Sequence, residues 1–396
     1  MTVIAPGVGA CFNTTMTRVA VNPDLFRWAR ERSRIDTLVL VSRFPKLPAW
    51  ENAEAQPTLK QLENYARATH SPIGFFFLPA PPQESLPIPD FRTVAGRTVA
   101  RPSPNLLDTI YACQERQSWY REFATVSNQD PREFVGSLTM QTSPTDAAAS
   151  IRRSLGFDLE MRRDCPTWTD ALRRFIDQAD AMGVLVMVSG VVFNNNRRPL
   201  EPEEFRGFAL VDSLAPLVFI NGADSKAAQM FTLAHELAHL WIGASALSDS
   251  TVSATPDQAI ERWCNSVAAE VLVPLDSLRA SLEQGERLYD TLPRLARTFK
   301  VSTLVILRRL RDAGHLDPTA FRTAYATELQ RLAEIRQGTG GDFYRTTISR
   351  VSRRFGRALV ESTLEGRTLY RDAFRMLGIS KTSTFNEFAR RLDLTL

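Results

Sequence analysis

The chain has 396 residues, 44% of them hydrophobic and 23% charged, with a net charge of +4. That length exceeds one average domain and suffices for a sizeable buried core, and the composition is that of an ordinary globular protein. No stretch approaches the ~18 apolar residues of a membrane span, and the N-terminus lacks the basic segment and apolar core of a secretory leader.

Four cysteines, Cys11, Cys113, Cys165 and Cys264, lie far apart and form no C-x-x-C pair. This spacing argues against a disulfide framework and a thiolate zinc knuckle, and a reducing cytoplasm fits it best. The charge is uneven: from Phe343 to Leu396 there are 11 Lys+Arg against 5 Asp+Glu, a balance of +6. A basic tail of this kind meets DNA or an acidic partner, or is simply a solvated helix face.

Residues 1–15 are weakly patterned, and Met16 is an alternative start. Asn22 and Pro23 form an N-cap and first-turn pair for a helix carrying Leu25, Trp28 and Ala29. A second helix is expected from Pro57-Thr58 through Leu59, Leu62, Tyr65 and Ala66. Prolines from Pro79 to Pro89 cannot form regular helix and close this first unit, so a helical N-terminal domain is read over residues 1–100. A connector follows over 101–144, with an amphipathic helix at 103–128 containing Leu106, Ile110, Trp119 and Phe123. Two further helices are entered at Ser143-Pro144 and Pro166-Thr167. The period then changes: Gly183 to Phe193 reads as a buried strand, and Phe208–Val211 with Leu217–Asn221 as a strand pair joined around Ala215-Pro216. From Ala227 the pattern is helical again, and from Pro274 it stays so. The expected fold class is α+β, with a small sheet in a central domain at 145–280 and all-α flanks, the last at 281–396.

The chemistry is concentrated in AAQMFTLAHELAHLWIG, residues 227–243. Most of these residues favour helix, and Gly243 can end it. His235 and His239 are four apart, so they share a helix face and can reach one metal ion. Glu236 follows the first histidine, where it can act as general base on a water at the metal. Each position of H-E-x-x-H has a separate mechanical role, and half of the chain's four histidines fall in it.

A hydrolytic zinc site needs a third protein ligand and an open position. The next helix, capped by Thr255 with Pro256 and Gln258 behind it, offers Glu261. Asn265, one turn on, can brace a histidine ligand or be an ordinary surface amide. Glu270 competes with Glu261, but its neighbours face a core; Cys264 also reads as a core residue. The oxyanion-stabilising group is left open among His70, His315, a tyrosine and an arginine. Leu217–Asn221 is either a cleft-bordering sheet edge, to which a peptide adds as a strand, or an ordinary core strand.

The stretch FTLAHELAHLWIG followed by IERWCNSVAAEVLVP, with LAPLVFING before it, resembles the ImmA/IrrE family of metallo-endopeptidases over about residues 145–280. The resemblance implies a zincin-like core with Zn²⁺ held by His235, His239 and Glu261, Glu236 as general base and Asn265 behind the ligands. It also implies cytoplasmic, site-specific cleavage of helix-turn-helix repressors or antitoxins in stress response or toxin–antitoxin control. The segments LFRWARERS (25–33) and AWENAEAQPTLKQLENYA (49–66) resemble a degenerate phage-repressor helix-turn-helix. Pro45 and Pro48 stand where its recognition helix would lie, which argues against DNA reading there. A second helix-turn-helix-like pair at 291–316 is either a DNA reader or a helical cap of the peptidase. Two functional classes follow: a zinc endopeptidase acting on a regulatory protein, or a DNA-binding regulator with a sensory or inactive peptidase domain.

Overall fold

The computed structural model describes residues 18–89, 101–157, 159–248, 256–333 and 348–394. They fall into two compact units, 18–85 with 101–104, and 86–89 with 105–394. The boundary lies in the proline-rich segment, where the missing backbone donors prevent regular pairing.

The first unit is helical: α1 (Pro23–Ser33), α2 (Thr37–Arg43), α3 (Leu47–Glu51), α4 (Leu59–Ala68) and a 3₁₀ turn, Ile73–Phe77. Asn22 caps α1 by accepting from the Asp24 amide, and Thr58 caps α4 in a reciprocal box with Gln61. An aromatic nest of Phe26, Phe44, Trp50, Tyr65 and Phe76 fills its core, and the Tyr65 hydroxyl donates to the Phe26 carbonyl at 2.9 Å. Pro48 sits in the first turn of the five-residue α3, so the span between α1 and α4 holds only short helices.

In the second unit α5 (Pro104–Val126), α6 (Pro144–Leu155), α7 (Leu159–Arg163) and α8 (Trp168–Met182) precede the sheet. Strands β1 (Leu185–Ser189), β2 (Gly207–Leu210) and β3 (Leu217–Asn221) come next, and α9 (Lys226–Ile242) and β4 (Ala246–Ser248) follow. Then come α10 (Pro256–Leu272), α11 (Leu275–Ala280), α12 (Leu288–Phe299), α13 (Thr303–Asp312), α14 (Pro318–Ala333), α15 (Arg353–Leu364), α16 (Tyr370–Leu377) and α17 (Thr382–Arg391).

Among the described residues the strands form one sheet of order β1-β3-β2-β4, with β1 parallel to β3 and the other pairs antiparallel. Both faces are buried, and alternate residues serve different cores. Val186, Ala209, Val218 and Ile220 face one core with Met230, Leu233 and Leu237 of α9 and with α6, α8, α10, α12 and α13. Leu185, Met187, Phe208, Leu210, Leu217 and Phe219 face the other, built from α5 and α15 to α17. The helices of 101–144 and 281–396 therefore complete the cores that the sheet begins.

The structure changes two expectations and gives a third its surroundings. The strand read at Gly183 to Phe193 is shorter, because the chain bends at Gly190, where the Gly222 backbone approaches too closely for a side chain. The possibility that Leu217–Asn221 forms a sheet edge is overturned: β3 is hydrogen-bonded on both sides and wholly buried, so no peptide can add there. The helix-turn-helix-like pair at 291–316 is α12–α13, and α14 packs against it. Arg308 donates to the Tyr325 hydroxyl at 3.1 Å, Arg311 lies 5.0 Å over the Phe321 ring, and Arg309 is buried in an ion pair with Glu270.

Candidate metal centre

The helix α9 starts where Ser225 accepts from the Ala228 amide and stops at Gly243, whose left-handed backbone (φ 75°) suits glycine. Its entry is fixed from below. Asn221 donates to the Phe205 carbonyl at 3.1 Å and accepts from the Ala223 amide, while Gln229 donates to the Gly222 and Asp224 carbonyls. These bonds set the direction in which α9 leaves β3, and so where His235 and His239 point.

The helix α10 packs along α9 and carries Glu261. Arginines hold its C-terminal end: Arg152 donates to the Glu270 carbonyl at 2.6 Å, Arg162 to the Leu272 carbonyl, and Arg309 to the Val273 carbonyl at 2.8 Å. Cations there complement the helix dipole and satisfy carbonyls left without a helical partner. The cap read at Thr255 lies outside the described residues.

Between the two helices, His235 Nε2 and His239 Nε2 stand 3.1 Å apart. Glu261 Oε2 is 3.2 Å from the first nitrogen and Oε1 is 3.1 Å from the second. All three side chains are buried, and their ligand atoms form a cluster able to hold a metal ion. Two imidazole lone pairs and a carboxylate converging on one point are mutually repulsive unless a proton or a cation sits among them. One proton satisfies two of the three; a cation satisfies all. A tetrahedral ion with bonds of about 2.0–2.1 Å separates its ligands by roughly 3.3 Å, close to the spacing here. The donor set therefore fits a metal ion that accepts imidazole and carboxylate ligands.

The electrostatics agree. Burial alone would raise the Glu261 carboxyl, but the His235 and His239 imidazoles outweigh it and hold it down at about 2. Burial lowers the His239 ring, whereas at His235 the Glu261 carboxylate overcomes burial and raises it. Asn265, one turn beyond Glu261, lies near the His235 ring and favours its protonated form, though neither Asn265 Oδ1 nor His235 Nδ1 has a hydrogen-bond partner of its own among the described residues. Phe231, one turn earlier on α9, stacks on the same ring. The alternatives fall away for physical reasons. Glu270 is engaged by Arg309 and accepts from the Leu275 amide at 3.4 Å, and burial pushes the Cys264 thiol well above its usual range, so neither joins the cluster.

Glu236 is fully buried beside Gly207 of β2. A Cβ on Gly207 would stand 2.5 Å from Thr232 Cγ2, 2.8 Å from the Phe219 carbonyl oxygen and 3.1 Å from Glu236 Oε1. Gly207 is the site residue that the sequence reading missed. The signal was a lone glycine opening a strand, which often marks close backbone approach. His70, in the first unit, and His315, in the exposed turn after α13, do not join the cluster.

A helix-borne His-Glu-x-x-His completed by a carboxylate from the next helix, backed by a small sheet, defines a zincin-like, metallopeptidase-type domain. Residues 179–311 match the IrrE N-terminal-like domain of the peptidase M78 family, which supports a metallopeptidase-type domain over that span. The match begins and ends later than the 145–280 read from the sequence, and so takes in α12 and α13. Residues 351–391, which span α15 to α17, match a domain of unknown function, DUF8813. No curated protein and no solved structure matches the chain. No helix among the described residues is long and apolar enough to cross a membrane.

Proposed function

We propose that the chain is a zinc-dependent endopeptidase that cuts a peptide bond in a regulatory protein, a helix-turn-helix repressor or an antitoxin. The observation that carries the reading is the convergence of the buried His235, His239 and Glu261 side chains on one point, with the buried Glu236 next to His235 in the helix. In this reading His235, His239 and Glu261 hold the ion and Asn265 steadies the His235 ring. When bound, zinc supplies a Lewis acid that polarises the scissile carbonyl and lowers the pKa of water. The Glu236 carboxylate accepts a proton from the attacking water and returns it to the leaving amine. Its burial against Gly207 keeps it from bulk water and from wandering between rotamers. The regulatory substrate rests on the family resemblance, and the free thiols of Cys113, Cys165 and Cys264 suit a cytoplasmic setting.

The test compares wild type with Glu236→Gln for bound zinc and for cleavage of a candidate repressor encoded beside this chain. Zinc in both proteins, with cleavage slowed about 10²–10⁴-fold in the variant, is expected. Equal cleavage by both would remove Glu236 as the base. Zinc in neither, with salt-sensitive DNA binding, would favour a DNA-binding regulator instead.

A further inference from the structure

On the sheet face opposite α9 lies a small cavity, with room inside for about one or two water molecules and open to solvent at its mouth. Its wall includes Arg116 and Thr109 of α5, Ser189 at the end of β1, Phe193, Phe219 of β3, and Arg350 just before α15. No carboxylate lines it.

Arg116 is 6% exposed, and no carboxylate among the described residues pairs with it directly; Glu115, the preceding residue, acts on it only through space and is ion-paired with Arg375. Its Nε donates to the Met376 carbonyl at 3.0 Å and its Nη1 to the Arg350 carbonyl at 3.4 Å, with the Met187 sulfur 3.6 Å away. These neutral groups orient the guanidinium without neutralising it, and its Nη2 has no hydrogen-bond partner among them. The Cys113 thiol, also in the wall, is pushed up to about 12 by burial and stays neutral. Arg350 is held by Asn194 Oδ1, which accepts from its Nη1 at 2.5 Å, while its Nε is buried without a partner. Asn194 is itself tied to the Leu377 and Gly378 carbonyls, so the rim is braced by the chain around α16.

Two guanidinium groups thus line one cavity that has no carboxylate in its wall. A guanidinium drawn out of water with no anion in contact is destabilising, and an anion bound there would offset that. Guanidinium forks favour oxyanions with parallel acceptor oxygens. The hydroxyls of Thr109 and Ser189 already donate to the Asn105 and Val191 carbonyls, so the arginines supply the open donors. Phe193 and Phe219 give the cavity apolar walls, so a charged head fits inside while any attached group lies at the open mouth.

We propose that this cavity binds a small oxyanion, a phosphate or carboxylate group, between Arg116 and Arg350. The site is separate from the metal centre: the sheet lies between its floor and α9.

The test titrates the full-length protein with inorganic phosphate and, in a second arm, with benzoate, each against sodium chloride of equal ionic strength, by calorimetry and thermal melting. Saturable binding of at least one anion is expected, weakened about tenfold or more by Arg350→Gln and less by Arg350→Lys. Phe193→Asp is a second variant that places a carboxylate at the rim, on a left-handed backbone (φ 51°) that aspartate tolerates. It too should weaken binding while leaving the unliganded melting temperature near wild type. Phosphate binding alone identifies a phosphoryl ligand, and benzoate binding alone a carboxylate. Binding of neither anion above chloride would overturn the proposal. So would binding unchanged in both Arg350→Gln and Phe193→Asp, since anion held by a metal ion elsewhere would survive those substitutions.

Discussion

At the scale of single residues, chemically similar side chains on α10 are separated by what faces them. Glu261 meets two imidazoles, Glu270 meets a guanidinium, and Cys264 meets only core. Glu261→Gln should therefore yield protein with markedly less bound metal, whereas Glu270→Gln and Cys264→Ala should keep it, as metal analysis of the purified proteins will show. Glu270→Gln carries a different penalty, because it removes the buried partner of Arg309 and leaves it only the half-exposed Asp312 as counter-charge. A loss of about 1–3 kcal/mol in denaturant unfolding is expected. Gly207 tests the packing of Glu236, the proposed general base. Gly207→Ala forces a methyl against a backbone carbonyl that cannot yield, and overpacking of this kind costs about 1–3 kcal/mol. Its melting temperature should fall and its peptidase rate should fall with it; an unchanged rate would mean that Glu236 does not depend on this contact.

At the scale of elements, the site depends on helices that carry none of its ligands. The C-terminal end of α10 is held by Arg152 of α6, Arg162 of α7 and Arg309 of α13, so three helices fix the register in which Glu261 meets α9. In turn α13 is latched to α14. Glu328 accepts from Arg331 and from the Thr303 hydroxyl at the start of α13. The Arg331 hydrogen bond, followed by that of Thr303, holds the Glu328 carboxyl below its ordinary value of 4.5. A carboxyl depressed in the folded state stabilises it above the unfolded pKa and loses that contribution as pH falls through the folded one. The difference in melting temperature between wild type and Glu328→Gln should therefore be present near about pH 6 and shrink toward about pH 3. A difference that does not change with pH would mean that the latch is not electrostatic.

At the scale of the whole molecule, the peptidase core does not end where its motif ends. Leu292, Leu295, Phe299, Ile306 and Leu307 share a core with α9 and α10. The opposite face of the sheet is covered by α5 and α15 to α17. A fragment of residues 145–280 would expose both sets of partners, leaving apolar area that folding must bury. That fragment should lack a cooperative thermal transition by circular dichroism, whereas residues 105–396 should retain one. Cooperative melting of the shorter piece would show that the flanking helices are accessories rather than parts of the core.

Much of this was legible in the residues alone, because the signals were local. The pair His235 and His239 is fixed by helical periodicity, Asn22 and Thr58 by capping chemistry, and β2 and β3 by short apolar runs around Ala215-Pro216. Glu261 was reachable because one long helix follows the motif. What stayed hidden depends on elements far apart in the chain. No local pattern says that β3 is central rather than an edge, since that depends on β1 and β2 pairing across it. Nor does any local pattern bring Gly207 under Glu236, Arg309 onto Glu270, or Arg350 beside Arg116, contacts that bridge from 29 to 234 positions. The sequence by itself determined which groups can do the chemistry, because helical spacing places them on one face. Only the tertiary structure decided which of them meet, because burial and charge pairing are settled by neighbours that the chain brings from a distance.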